Sequence, residues 1–143
     1  MNNIIRTNIK VLHNKEYNFL DVAFSGFISY EELVEICEYE FQLIEHYKIK
    51  KCLINLREIN IYPPGGEEFI KTCWFPKVIE LEVKAIAIVV PDDVFAQLSM
   101  QEAHDLEQIP VTVQHFAEGD AARQWLESKV IYDDSNNNIL TFL

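Results

Sequence analysis

Ala85-Ile86-Ala87-Ile88-Val89-Val90 is an unbroken apolar run that stops at Pro91 and is followed by Asp92-Asp93. Alternation of apolar and polar residues would mark a strand with one wet face. Continuous apolarity marks a strand covered on both faces, as in parallel sheets whose crossover helices bury them. Pro91 has no N–H to give to a sheet and ends the run. The fold class that follows is α/β.

Working outward, Lys51 to Leu56 carries Cys52, Leu53, Ile54 and Leu56 in a second nearly continuous run, predicting another interior strand at the sheet centre. Between the two runs, Pro63-Pro64-Gly65-Gly66 marks a loop, Glu67-Glu68 open a helix, and Pro76 makes that helix restart or bend. Upstream, Leu33, Ile36, Cys37, Phe41, Ile44 and Tyr47 recur at helical spacing over residues 30–47. Ser29 with Glu31 and Glu32 supplies the N-cap and the acidic first turn of that helix. Ile9 and Val11, then Phe19, Asp21 and Ala23, alternate on either side of the turn-forming His13-Asn14-Lys15-Glu16, predicting an opening antiparallel hairpin. Downstream, Asp92-Asp93 begin a helical segment to about Leu98, and Ser99 caps a second that reaches Gln108 before Pro110. A strand over 111–116 follows, then a helix over 120–129 with Ala121, Ala122, Trp125 and Leu126 inward. The expectation is a single mixed sheet, antiparallel at its start and parallel later, with helical crossovers. Residues 1–129 form the domain, and the tail 130–143 is an added strand or hairpin, or a frayed end. An added strand would offer an edge for self-pairing, hence a homodimer.

The 143 residues suit one domain with one core. Their net charge is −11, and residues 91–143 carry ten acids against two bases. Phosphate binding needs clustered Lys and Arg, so a nucleic-acid partner is not expected. No apolar run is long enough to insert in a membrane and Met1 to Lys10 lacks a signal-peptide block, so the chain reads as cytoplasmic. Cys37, Cys52 and Cys73 are widely spaced and read as ordinary buried thiols, neither disulfide framework nor zinc site.

With the elements in this order, several stretches resemble the STAS domain, the sulphate-transporter and anti-sigma-factor-antagonist fold, in its SpoIIAA-like branch. Phe24-Ser25-Gly26-Phe27-Ile28-Ser29 is similar to that branch's turn into its first helix, and Lys48-Ile49-Lys50-Lys51-Cys52-Leu53-Ile54-Asn55 to its third strand. Trp74-Phe75-Pro76 resembles an aromatic-Pro element of its second helix. The run from Ala85 to Phe95 resembles its next strand and turn, and His115-Phe116, Ala122 and Trp125-Leu126 its last strand and helix. The resemblance spans residues 15–128. It implies a non-enzymatic binding domain whose functional surface lies near the loop after the third strand. Antagonist members carry a phosphorylated Ser or Thr there, whereas Arg57 to Gly66 contains neither, so that switch does not carry over.

Candidate residues sit where α/β domains place ligands, at the open ends of parallel strands. One end holds Asn55, Arg57 and Glu58; the other holds Pro91, Asp92 and Asp93. If they converge with Trp74, Arg57 would grip an anionic group while Trp74 supplies apolar contact. The alternative is that Arg57 pairs with a nearby carboxylate and Trp74 with Phe75 is core. Asp92-Asp93 would hold magnesium in an enzyme, or simply cap a helix N-terminus. His104-Asp105 and His115 would act as bases only beside a nucleophile, and the sequence marks none. No catalytic residue, metal ligand or cofactor site is therefore assigned. The expected function is non-enzymatic: recognition of a protein partner through the first helix and the loop after the third strand. A small apolar molecule or lipid held among Phe69, Trp74, Phe75 and Phe95 is the alternative.

Overall fold

Ala85–Val89 lies between two parallel neighbours, with four of its five side chains buried. In the computed structural model, which describes residues 2–61, 63–94, 111–129, 131–133 and 138–141, it is β5 of a six-stranded sheet. The preceding strands are β1 (Ile4–Ile5), β2 (Ile9–Asn14), β3 (Phe19–Phe27) and β4 (Lys51–Ile61), and β6 (Thr112–Phe116) follows. They pair in chain order, antiparallel from β1 to β3 and parallel from β3 to β6. The mixed α/β architecture expected from the two apolar runs is the one observed. Beyond Val94 the expected helical segments lie outside the described residues, as does Phe95.

Consecutive neighbouring strands joined by right-handed crossovers carry their helices on one face. α1 (Tyr30–Tyr47) joins β3 to β4; α2 (Gly66–Phe69), a π-helical segment (Ile70–Trp74) and α3 (Phe75–Glu80) join β4 to β5. Their apolar sides pack with Ile9, Val11, Leu20, Val22, Cys52 and Ile54 into the larger core. α4 (Gly119–Ser128) covers the other face, where Ala122 and Leu126 meet Phe19, Leu53, Ala85, Ala87 and Val89. Ala121, expected inward, is exposed, because the helix turns only Ala122, Leu126 and part of Trp125 to the sheet.

The hairpin register separates two sets that alternation alone left unassigned. Ile9 pairs with Phe24 and Val11 with Val22, which puts Ile9 and Val11 on the larger core's face and Phe19, Asp21 and Ala23 on the other. Asn14 closes the turn by accepting the Tyr17 N–H at 2.9 Å, and Asn18 takes the left-handed conformation (φ 50°). α1 begins with a full capping box: Ser29 Oγ accepts the Glu32 N–H at 3.1 Å and Glu32 Oε1 accepts the Ser29 N–H at 3.2 Å.

β4 extends to Ile61, well past Leu56, because Ser25, Gly26 and Phe27 of β3 continue to pair with it across a bulge. Gly65 then enters α2 at φ 84°, and a Cβ on Gly66 would lie 3.1 Å from Pro63 and 3.3 Å from Leu33, so a glycine there lets α2 press against α1. Pro76 stands in the first turn of α3, so the α-helix restarts there, one of the two outcomes expected. A proline ring collides with the carbonyl four residues back, here Thr72. The π-helical segment shifts bonding to five residues, with the Phe75 N–H donating to Ile70, and the turn just before Pro76 is widened. The same segment turns Cys73 outward, so Cys37 and Cys52 are the buried thiols expected and Cys73 is exposed. Past α4, β7 (Ile131–Asp133) and β8 (Asn138–Thr141) pair antiparallel as a separate hairpin.

Candidate functional site

The residues singled out at the strand ends divide between the two sides of the sheet. On the α4 side, Asn55 and Arg57 end the buried part of β4, and Asn55 Oδ1 accepts the Arg57 N–H at 3.0 Å. The Arg57 guanidinium bonds to Asp92 Oδ1 at 3.3 Å, bonds to the Ala117 carbonyl, and lies 3.9 Å from Glu118 Oε1. It thereby ties the ends of β4 and β5 to the loop that leads into α4. Glu58 stands past the bulge, where it lines a shallow hollow with Asn55, Lys10 and Ser25. Asp93 is exposed in the helical residues 92–94 that follow Pro91, where a helical segment was expected to begin. Arg57, Asn55 and Asp92 therefore converge, and the guanidinium finds its anions within the chain.

Trp74 is not in that group. It points from the π-helical segment into the larger core, 4% exposed, with its ring edge-on to Phe75 at 5.0 Å. Its indole N–H donates to Glu40 Oε1 at 3.0 Å. Glu40 is itself 1% exposed, placed by α1 in the phase of Leu33, Ile36, Cys37, Leu43 and Ile44. Residues at i, i+3, i+4 and i+7 share a helix face. A carboxyl at i+7 from Leu33 is thus carried into the apolar stripe. Burial pushes its pKa up to about 7, with the Trp74 hydrogen bond pulling the other way.

The pair borders a half-open pocket of about 50 Å³ between α1, the π-helical segment and the sheet. Leu33 and Cys37 line it from α1, Ile54 and Leu56 from β4, Ile88 from β5; Glu40 is the charged residue in its wall. Ile70 and Phe75 line both this pocket and a neighbouring groove of about 230 Å³, whose other sides are Glu67 and Lys71. Of the aromatics expected to line a pocket, Trp74 and Phe75 do so, whereas Phe69 meets Tyr30 edge-on at 6.0 Å. Glu40 escaped the sequence reading, which took Phe41 into the inward stripe. Its signal was legible all the same: an acid seven residues after Leu33, between Cys37 and Ile44, in the buried phase.

Lys51 is a second buried charge, 0% exposed, on the α4 face. Its ammonium donates to the Leu126 carbonyl at 2.9 Å and the Lys129 carbonyl at 3.4 Å, closing the C-terminal end of α4 where carbonyls lack helical partners. Burial lowers its pKa and the Glu127 charge opposes that shift. Nearby, Arg123 bonds Asp21 at 2.8 Å and sits 5.5 Å over the Phe19 ring. Among the described residues, no group of three or more His, Cys, Asp and Glu is placed to hold a metal ion, and no helix is long and apolar enough to cross a membrane.

Comparison with known proteins returns the same architecture. A solved structure of an uncharacterized protein with a SpoIIAA-like fold from Shewanella loihica PV-4 superposes with a TM-score of 0.51 at 16% identity, covering 82% of this chain and 91% of that one. At that identity the likeness is one of fold. No curated protein matches the chain. The model of the SpoIIAA-like family matches residues 19–127, from the first residue of β3 to the last turn of α4. That span takes in every parallel strand and both helical layers, as the resemblance over residues 15–128 implied, and the chain belongs to the SpoIIAA-like family.

Proposed function

We propose that this protein is a binding module for a small apolar ligand, seated between α1, the π-helical segment and the sheet, and that it catalyses no reaction. The observation that carries this reading is the pocket of about 50 Å³, apolar apart from Glu40 and sharing Ile70 and Phe75 with the neighbouring groove. Ligand sites are concave, mainly apolar, and fixed by a few polar groups. A pocket this small is below the roughly 150 Å³ that holds benzene, so a ligand must shift the two shared side chains and use the groove as well. Ile70 and Phe75 are the two ends of the five-residue hydrogen bond that widens the turn there. Against a metal-dependent reaction at Asp92 and Asp93 stands the Arg57 guanidinium beside Asp92, which would repel a divalent cation.

The test is calorimetric titration with octanol, and a saturable heat is expected. The cavity-filling variant Ile88→Phe should abolish that heat while the variant still unfolds cooperatively. Equal binding by the filled variant would rule out this pocket.

A protein partner is a second reading, and a different observation favours it. Phe27, the last residue of β3, is 63% exposed and Tyr30, the first of α1, is 40% exposed, with the Tyr30 ring against the Gly65 turn. Large apolar side chains left in water near one another are what an interface core uses. Replacing Phe27 and Tyr30 by Ser should then abolish capture of one stoichiometric partner and leave octanol binding intact.

A further inference from the structure

We infer, resting on the reading of the cavity as a ligand site, that Glu40 recognises the ligand's head and that this head is a protonated amine on an apolar body. The carboxyl enters the cavity wall from α1, and its Oε1 takes the Trp74 N–H at 3.0 Å. A carboxylate has about four acceptor positions, so one donor leaves most of them unused. Among the described residues no Lys, Arg or His forms an ion pair with it. Phe24 from β3, Ile54 from β4, Ile88 from β5 and Ile70 from the π-helical segment bring no charge to the cavity. The titratable groups that feel Glu40 are Cys37 on its own helix and Cys52 on β4, two thiols that burial keeps protonated.

A buried acid without a cation stays neutral when its surroundings can make it so, and desolvation does that here. An ammonium changes the balance. The neutral acid gives up its proton to solvent, the carboxylate forms a charge-assisted bond to the incoming head, and the buried charge gains its partner. One proton leaves for each Glu40 that was protonated. A ligand with an ionised carboxylate would set two negative charges together and is refused; an alcohol is accepted on its apolar body alone. The body of the amine extends past Ile70 and Phe75 into the groove.

Octylamine, octanol and octanoate, matched in chain length, separate these claims when titrated calorimetrically into the whole protein at pH 5 and pH 8. High salt screens loose attachment of the amine to the acidic surface. The wild-type protein should prefer octylamine over octanol by about tenfold at pH 8, the worth of one hydrogen bond to a charged group. The preference should shrink toward parity at pH 5. Near pH 7 the heat should depend on the buffer in the sense of proton release. Glu40→Gln retains an oxygen for the Trp74 N–H, and it should bind octanol as before while losing the amine preference. Parity of amine and alcohol in the wild type at pH 8, or octanoate binding as well as either, overturns the inference and leaves the pocket standing. Failure of all three to bind removes the pocket, and the inference with it.

Discussion

Among the described residues the two faces of the sheet each bury one charged side chain, and they treat it in opposite ways. Lys51, under α4, has two of its three N–H donors held: two carbonyls of the helix terminus accept from its ammonium at 2.9 and 3.4 Å. Glu40, under α1, has one donor for four acceptor positions and borders empty space. The α4 face is closed by such ties throughout, with Arg123 on Asp21 and Arg57 on Asp92 and the Ala117 carbonyl. A charge most of whose hydrogen bonds are made within the chain holds the fold together. One that is left with open positions beside a cavity is available to something outside the chain. The comparison therefore assigns stability to one face and recognition to the other.

The largest effect expected from this division is on Trp74. Trp74→Ala removes a buried aromatic and the single donor to Glu40 together, and should lower unfolding free energy by about 3–5 kcal/mol in urea denaturation. Trp125→Ala on the α4 face removes a partly exposed ring, tilted on Phe116 at 5.6 Å and covered by the Lys129 ammonium, and should lose about 1–2 kcal/mol. Equal losses would mean that the faces do not differ in this way.

Next comes Lys51 itself. Lys51→Met keeps the length of the side chain and leaves the Leu126 and Lys129 carbonyls without their donor, for a loss of about 3 kcal/mol. Amide exchange should quicken in the last turn of α4 first. If stability is unchanged, the ammonium was no more use than a thioether, and the contrast with Glu40 loses its structural half.

Glu40→Gln should act with the opposite sign, and with a dependence on pH. The folded pKa of about 7 lies above the ordinary 4.5, so between those values the folded state binds more protons than the unfolded chain. Stability contributed by the protonated acid is complete below pH 4.5 and is lost as pH rises through 7. The variant cannot ionise, so it should match the wild type near pH 4.5 and exceed it by about 2–3 kcal/mol at pH 8. A difference that does not change with pH would show that Glu40 is ionised throughout.

How much of this division could be read from residue order follows from what periodicity reports. The continuous runs at Lys51–Leu56 and Ala85–Val90 announced strands covered on both faces, and Ser29 with Glu32 announced the start of α1, since those signals are local. Which helix covers which face is not local. Trp74 was expected to converge with the Arg57 group, but the π-helical segment carries it to the opposite side. The buried phase of α1 was legible, with Leu33, Ile36, Cys37 and Ile44 on it; that Glu40 would be kept there, unpaired, depends on a tryptophan from a distant segment. Lys51 likewise read as the polar start of a strand until α4 laid its terminal carbonyls over it.

The smallest effect sharpens the comparison most. Arg57 is about one-third exposed and Asp92 largely so, and screened pairs of that kind contribute little, so Arg57→Ala should lose about 1 kcal/mol, mostly through the Ala117 carbonyl. Trp74→Phe is the milder partner variant, keeping one aromatic ring while losing the second ring of the indole and the bond to Glu40. Sites with no shared contacts add within about 0.5 kcal/mol. Since Arg57 and Trp74 share none, the double variant should lose the sum of the two single losses, and octanol affinity should follow Trp74 alone. A coupling above 1 kcal/mol, or a loss of octanol binding in Arg57→Ala, would join the two faces into one site and end the division between them.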